Sequence, residues 1–213
     1  MRKLMPRVYT EILEGAKDEL VRDHLYKLLC HLFPGAVVSH RSALNPPTTL
    51  NPYFEETGAV YLTGTYTQRF EWPGVTVFLL KGPPEDEADP VLNPLPPYLR
   101  VSSFARAVLE NMQAGRDRGK GRKSLERGEI LSWLRVLMGS RGIPALDEME
   151  SEAHAVADRL GMAKEWAALQ RLIGDARQRK GRLIGGWRKK IARIFPDVMP
   201  AAGPRLPQWD RAV

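Results

Sequence analysis

From Lys17 to Phe33 apolar residues recur at Leu20, Val21, Leu25, Leu28, Leu29 and Leu32, the spacing of a helix with one buried face. Pro34-Gly35 stops that pattern. Val37 and Val38 then start a strand, and Ser39 or Ser42 caps a short helix that Pro46-Pro47 ends. Between 58 and 80 the chain turns to Thr, Val, Tyr and Phe, alternating in places. Strands are predicted near 59–63, 66–71 and 75–80, with turns at Gly64 and Pro73-Gly74. Residues 81–97 hold six prolines and four acids and read as a rigid exposed connection.

Residues 100–113 read as a strand end followed by a Ser-capped helix with Phe104, Ala105, Val108, Leu109 and Met112 packed on the sheet. After a Gly-rich basic stretch, helices are predicted at about 124–138, 144–160 and 162–175, broken at Gly-Ser-Arg-Gly-Ile-Pro and at Gly161. The predicted fold class is α+β: a small antiparallel sheet packed with helices, then an all-helical half and a basic, partly disordered tail. The expected domains are 1–113, a linker at 114–123, a helical domain at 124–175 and a tail at 176–213.

Charge changes this picture. The net charge is +7 over 213 residues. Residues 176–195 hold eight Lys/Arg and no acid, and residues 115–127 hold six against two, so the rest of the chain is left at −5. Two strongly basic segments on a mildly acidic body point to contact with a polyanion or a protein partner. The candidate contacts are Arg116, Arg118, Lys120, Arg122 and Lys123 in the first segment. In the second they are Arg177, Arg179, Lys180, Arg182, Arg188, Lys189 and Lys190, with Trp187 placed to stack on a base or a partner groove. No apolar run approaches the roughly 20 residues of a membrane span. The N-terminus has no signal-peptide pattern, and the lone Cys30 sits in an apolar helical pattern as a buried small hydrophobe. A reducing, cytoplasmic setting is expected.

Catalytic chemistry finds little footing. His24 and His31 lie seven apart, beyond the i, i+4 reach of a shared metal on a helix. There is no CxxC, HExxH, phosphate-binding GxxxxGK[ST] or GxSxG. The acids of Glu85–Asp89 read as a solvated turn. Ser39-His40-Arg41-Ser42 lacks an orienting acid, so its serines are read as caps and His40 and Arg41 as an exposed pair facing a partner or phosphate. No enzyme activity, cofactor or metal is expected.

Several stretches occur in an order that resembles a known group. They are PRVYT (6–10), LFPGAVVSHRSAL (32–44), GAVYLTGTYTQRFEWPGVTVFLLKGPP (58–84) and VSSFARAVLENM (101–112). Together they look like the N-terminal region of large bacterial Fic-family proteins, a region similar to AbiEi-type antitoxins of abortive-infection systems. SLERGEILSWLRVLM (124–138) and AVADRLGMAKEWAALQRLIG (155–174) are similar to the helical spacer of those Fic proteins, so the likeness covers roughly 6–175. The resemblance implies an antitoxin-like module that neutralises a protein toxin or restrains a Fic core, with a promoter-binding winged helix in the antitoxins. The HPFxxGNGR motif with which Fic enzymes transfer AMP has no counterpart in this sequence, nor does the antitoxin's winged-helix segment. Thr10, Glu14 and Gly15 match the [ST]xxxE[GN] inhibitory helix of Fic enzymes, or else form a helix turn ended by Gly15.

The reading is therefore a non-catalytic regulatory or antitoxin-like module that binds a protein partner, with nucleic acid met through the basic segments. One alternative is a sequence-specific DNA-binding regulator in which 17–33 and 39–45 form a degenerate helix-turn-helix and 59–80 a wing. Another is the N-terminal part of a Fic adenylyltransferase.

Overall fold

The computed structural model describes residues 1–6, 8–44, 57–92, 98–113 and 123–178. The chain is α+β and divides into two compact units, one up to Ser102 and one from Ser103 onward.

The first unit opens on a hairpin absent from the sequence reading. Strands β1 (Arg2–Met5) and β2 (Val8–Thr10) pair antiparallel, with a bulge between Lys3 and Met5. Helices α1 (Lys17–Asp23) and α2 (Leu25–Leu32) replace the single predicted helix. The break is His24, whose φ of −110° and ψ of 16° fall outside the helical basin. Leu20, Val21, Leu25 and Leu29 of the periodic set are buried, and so is Cys30, while Leu28 is half-buried and Leu32 at the end of α2 is exposed.

The main sheet has five strands in the order β5-β6-β4-β3-β7, where β3 is Val37–Val38, β4 Ala59–Gly64, β5 Gln68–Trp72, β6 Val75–Lys81 and β7 Arg100–Val101. Strand positions agree with the pattern, but the sheet is mixed, not antiparallel throughout. β4 runs parallel to β6 and β3 parallel to β7, while β5–β6 and β3–β4 are antiparallel. The tight turn after Trp72 forces β5 and β6 to be neighbours, and β4 then docks on the far side of β6. This central position buries both faces of β4 and explains its continuous apolar run.

On one face Val75, Val77 and Leu79 of β6 line up with Val60 and Leu62 of β4 and Phe70 and Trp72 of β5. Phe33, just past α2, meets Phe70 edge-on at 4.9 Å and stacks on Trp72 at 5.9 Å. On the other face Tyr61 stacks on Phe78 at 5.0 Å, and the Arg69 guanidinium lies 5.5 Å from the Phe78 ring centre. Pro73-Gly74 turns β5 into β6 with Gly74 at φ +68°, and a Cβ there would lie 2.7 Å from Asp18 Cβ on α1. Gly74→Ala is expected to cost about 1–3 kcal/mol by urea unfolding, through an unfavourable φ plus displacement of α1. A neutral result would show that α1 does not press on this turn.

The second unit holds α4 (Phe104–Glu110), α5 (Arg127–Arg141), α6 (Ile143–Leu160) and α7 (Ala163–Gln178). Ser103 caps α4 by accepting the Arg106 N–H, as its position predicts. Within the second unit α4 packs with α6 and α7, and the compact boundary falls at Ser102 and not after 113. Every residue from Ala105 to Glu110 is buried, which draws this helix into a helical core. A reciprocal Glu126–Glu129 capping box starts α5. The Gly-Ser-Arg of the predicted break belongs to α5, and only Gly142, at φ +82°, separates α5 from α6. Gly161, at φ +67°, ends α6, and α7 continues to Gln178, past the expected start of the tail at 176. The tail from 179 lies outside the described residues, as do most of the 114–123 linker and Pro46-Pro47. No helix among the described residues is long and apolar enough to cross a membrane.

Candidate functional site

The segment Ala36–Leu44 is built from the sheet outward. Val38 O accepts the Ser102 N–H at 2.8 Å, and Ser39 N–H donates to Tyr61 O at 3.0 Å, so the chain leaves β3 locked on both sides. It then turns sharply at His40, a non-glycine residue at φ +53°, into α3 (His40–Leu44). The helix start is satisfied by the Ser39 carbonyl, which accepts the Ser42 and Ala43 N–H groups at 3.1 and 3.2 Å. Neither serine side chain performs the expected cap. Ser39 Oγ lies 3.0 Å from His40 Nδ1, and Ser42 Oγ accepts the Tyr61 N–H at 3.0 Å.

The predicted exposed rim is therefore only half right in its placement. His40 is 3% exposed and belongs to the buried polar layer with Ser39 and Ser42, while Arg41 is half-buried. The His40 ring lies beneath the surface with its Nδ1 against Ser39 Oγ. Buried Ala43 and Leu44 pack as expected. Leu44→Ala is expected to destabilise by about 2–4 kcal/mol in urea; a loss below about 1 kcal/mol would mean that α3 does not seat on the sheet through this residue.

This geometry removes the helix-turn-helix assignment. In α3 His40, Ser42, Ala43 and Leu44 are all buried, leaving no side-chain row to enter a groove. Residues 59–80 build the middle and one edge of the five-stranded sheet and not a free wing. The inhibitory-helix match fails on the same kind of ground. Thr10 ends β2 with its Oγ1 accepting the Ile12 N–H at 3.1 Å, Glu14 is exposed in a bend, and Gly15 sits at φ +86°. Arg2 holds this bend by donating to the Leu13 and Gly15 carbonyls at 3.2 and 2.7 Å. Only Thr10 of this stretch is paired in the hairpin, and residues 11–15 run on as bends and irregular backbone, with no helix over the motif.

Of the basic candidates, the structure describes Lys123 and Arg177, and both have internal partners. Lys123 Nζ donates to Gln113 Oε1 at 3.2 Å. Burial pushes its ammonium below the ordinary lysine value, and the Glu165 and Glu110 carboxylates pull it back. Arg177 Nη2 donates to Asp147 at 2.6 Å and Glu150 at 2.5 Å, joining α7 to α6. Those carboxylates, Asp147 first, hold its guanidinium above the ordinary value. Arg116, Arg118, Lys120, Arg122, Arg179, Lys180, Arg182, Trp187, Arg188, Lys189 and Lys190 lie outside the described residues.

The acidic loop is more ordered than a solvated turn. Asp89 is buried, and its carboxylate accepts the Asp86 N–H at 2.9 Å. Arg100 closes the loop by donating to Asp89 O at 2.7 Å and facing Glu85 at 3.4 Å. No group of three or more His, Cys, Asp or Glu among the described residues is arranged to hold a metal ion. Sequence reasoning passes over Arg69 and Glu71, an exposed ion pair on β5. The available signal was the alternation of polar and aromatic residues through Gln68–Trp72. No family model matches this chain, and neither does any curated protein or solved structure.

Proposed function

We propose that this chain is a non-catalytic, cytoplasmic regulatory module of a Fic or abortive-infection toxin system, acting by binding a protein partner. One observation carries the reading. The stretches 32–44 and 58–84, which bear most of the resemblance, supply strands β3 to β6 of the five-stranded sheet, and Val101 adds to β7, which supports reading them together as one module; the rest of 101–112 belongs to the second unit. The partner in this reading is a toxin or a Fic core. The basic segments at 115–127 and 176–195 add nucleic-acid contact through cations other than Lys123 and Arg177.

The test is co-expression of the full chain with the product of each adjacent reading frame. One neighbour should arrest growth alone, be tolerated beside this chain, and co-purify with it in a fixed ratio. A neighbour that is neither bound nor less toxic in its presence overturns the reading. The nucleic-acid part is checked by titrating a DNA duplex with salt. Each neutralised phosphate contributes about −0.9 to the log–log slope, and a flat slope removes that part alone.

A further inference from the structure

Among the described residues β5 is the outer strand of its sheet. Its backbone orientation follows from that of β6. The Thr76 N–H donates to Gly58 O at 2.7 Å, on the β4 side of β6. Thr76 thus turns its polar groups away from β5, and its antiparallel partner Glu71 occupies a non-hydrogen-bonded pair. Two residues back, Arg69 opposite Phe78 does the same. The N–H and C=O groups of Arg69 and Glu71 consequently point out of the sheet. Such an edge is a template for one more strand.

The side chains select that strand. Arg69 and Glu71 share one face, form an ion pair along the strand, and are 51% and 58% exposed. When Gln68–Trp72 is laid antiparallel against itself about Phe70, Arg69 falls opposite Glu71 of the second copy, and Glu71 opposite its Arg69. These are the residues whose backbone groups face outward, so one register satisfies four backbone hydrogen bonds and two opposite-charge cross-strand pairs together. On the other face Phe70 meets its counterpart beside the Phe33–Trp72 stack. An in-register parallel pairing would set like charges opposite each other.

We propose that the β5 edge is the seat of a two-fold dimer of this chain, which joins two five-stranded sheets into one. The contact is self-complementary, as a two-fold interface must be. A pair of five-residue strands buries less than the roughly 1,200 Å² of a standard interface. Association is therefore expected at concentrations on the order of 100 µM.

Sedimentation velocity of the full chain from about 5 to 500 µM spans that range. The species should move from 24.0 kDa toward twice that mass as concentration rises. R69E and E71R each place like charges opposite one another and should weaken the dimer by about tenfold or more. An equal mixture of R69E and E71R should associate again, because an acidic strand then faces a basic one. The double variant R69E/E71R restores self-complementarity and should dimerise alone. Recovery on mixing or in the double variant separates lost pairing from lost folding. A wild-type chain that stays monomeric throughout overturns the proposal. So do single variants that associate like the wild type, or a mixture and a double variant that both stay monomeric.

Discussion

Replacing Arg106 with alanine is expected to cost the fold about 3–5 kcal/mol, the scale of breaking a buried ion pair by removing one partner. Arg106 Nε donates to Glu110 Oε1 at 2.9 Å, one turn along α4, with the two side chains 0% and 1% exposed. Alanine removes a guanidinium from a fully buried site, and the Glu110 carboxylate loses that bond inside the protein. Urea unfolding at neutral pH measures the loss. The informative control is R106M/E110L, which exchanges both charges for apolar groups of similar bulk and should cost far less than R106A or nothing. An R106A loss below about 1 kcal/mol would show that the site admits water and that the pair behaves as a surface one.

Phe33→Ala is expected to cost about 3–5 kcal/mol as well, by cavity formation in the first unit. Phe33 is buried where the chain leaves α2 and touches both aromatic residues of β5. Each aromatic contact adds about 0.5–1.5 kcal/mol beyond the area it buries. Phe33→Leu keeps most of the volume and should stay within about 1.5 kcal/mol. Urea unfolding again measures the stability, and tryptophan emission should shift to longer wavelength in F33A as Trp72 loses its cover. Equal, small losses in both variants would mean that α2 does not hold β5 through this ring.

How far these residues were legible in the sequence differs from case to case. Arg106 and Glu110 stand four apart in a helix whose apolar stripe is Phe104, Ala105, Val108, Leu109 and Met112, and nothing in that pattern marks them as buried. Only burial on all sides turns them into a core feature. His40 read as exposed because polar residues usually are, but the fold buries it to 3% exposure, at a backbone φ of +53°. Thr10–Gly15 matched a helical motif by letter alone, while in the structure Thr10 ends a strand and residues 11–15 are bends held by Arg2. Arg177 read as one of eight free cations, and it is bonded to two acids 27 and 30 residues earlier.

By itself the sequence determined the α+β class, strands β4, β5 and β6 and the succession of long helices in the second unit, but neither the β1–β2 hairpin nor the break at His24. Those features rest on signals local to the chain: apolar period, the Ser103 cap, the Pro73-Gly74 turn, and glycines at 142 and 161 that adopt left-handed backbone. Tertiary structure alone decided the parallel pairing of β4 with β6, the burial of His40, the burial of the Arg106–Glu110 pair and the place of β5 as the outer strand among the described residues. The physical reason is that each depends on residues far apart in the chain meeting in one register. Periodicity reports that a residue has a buried side, but not which distant backbone it will be buried against.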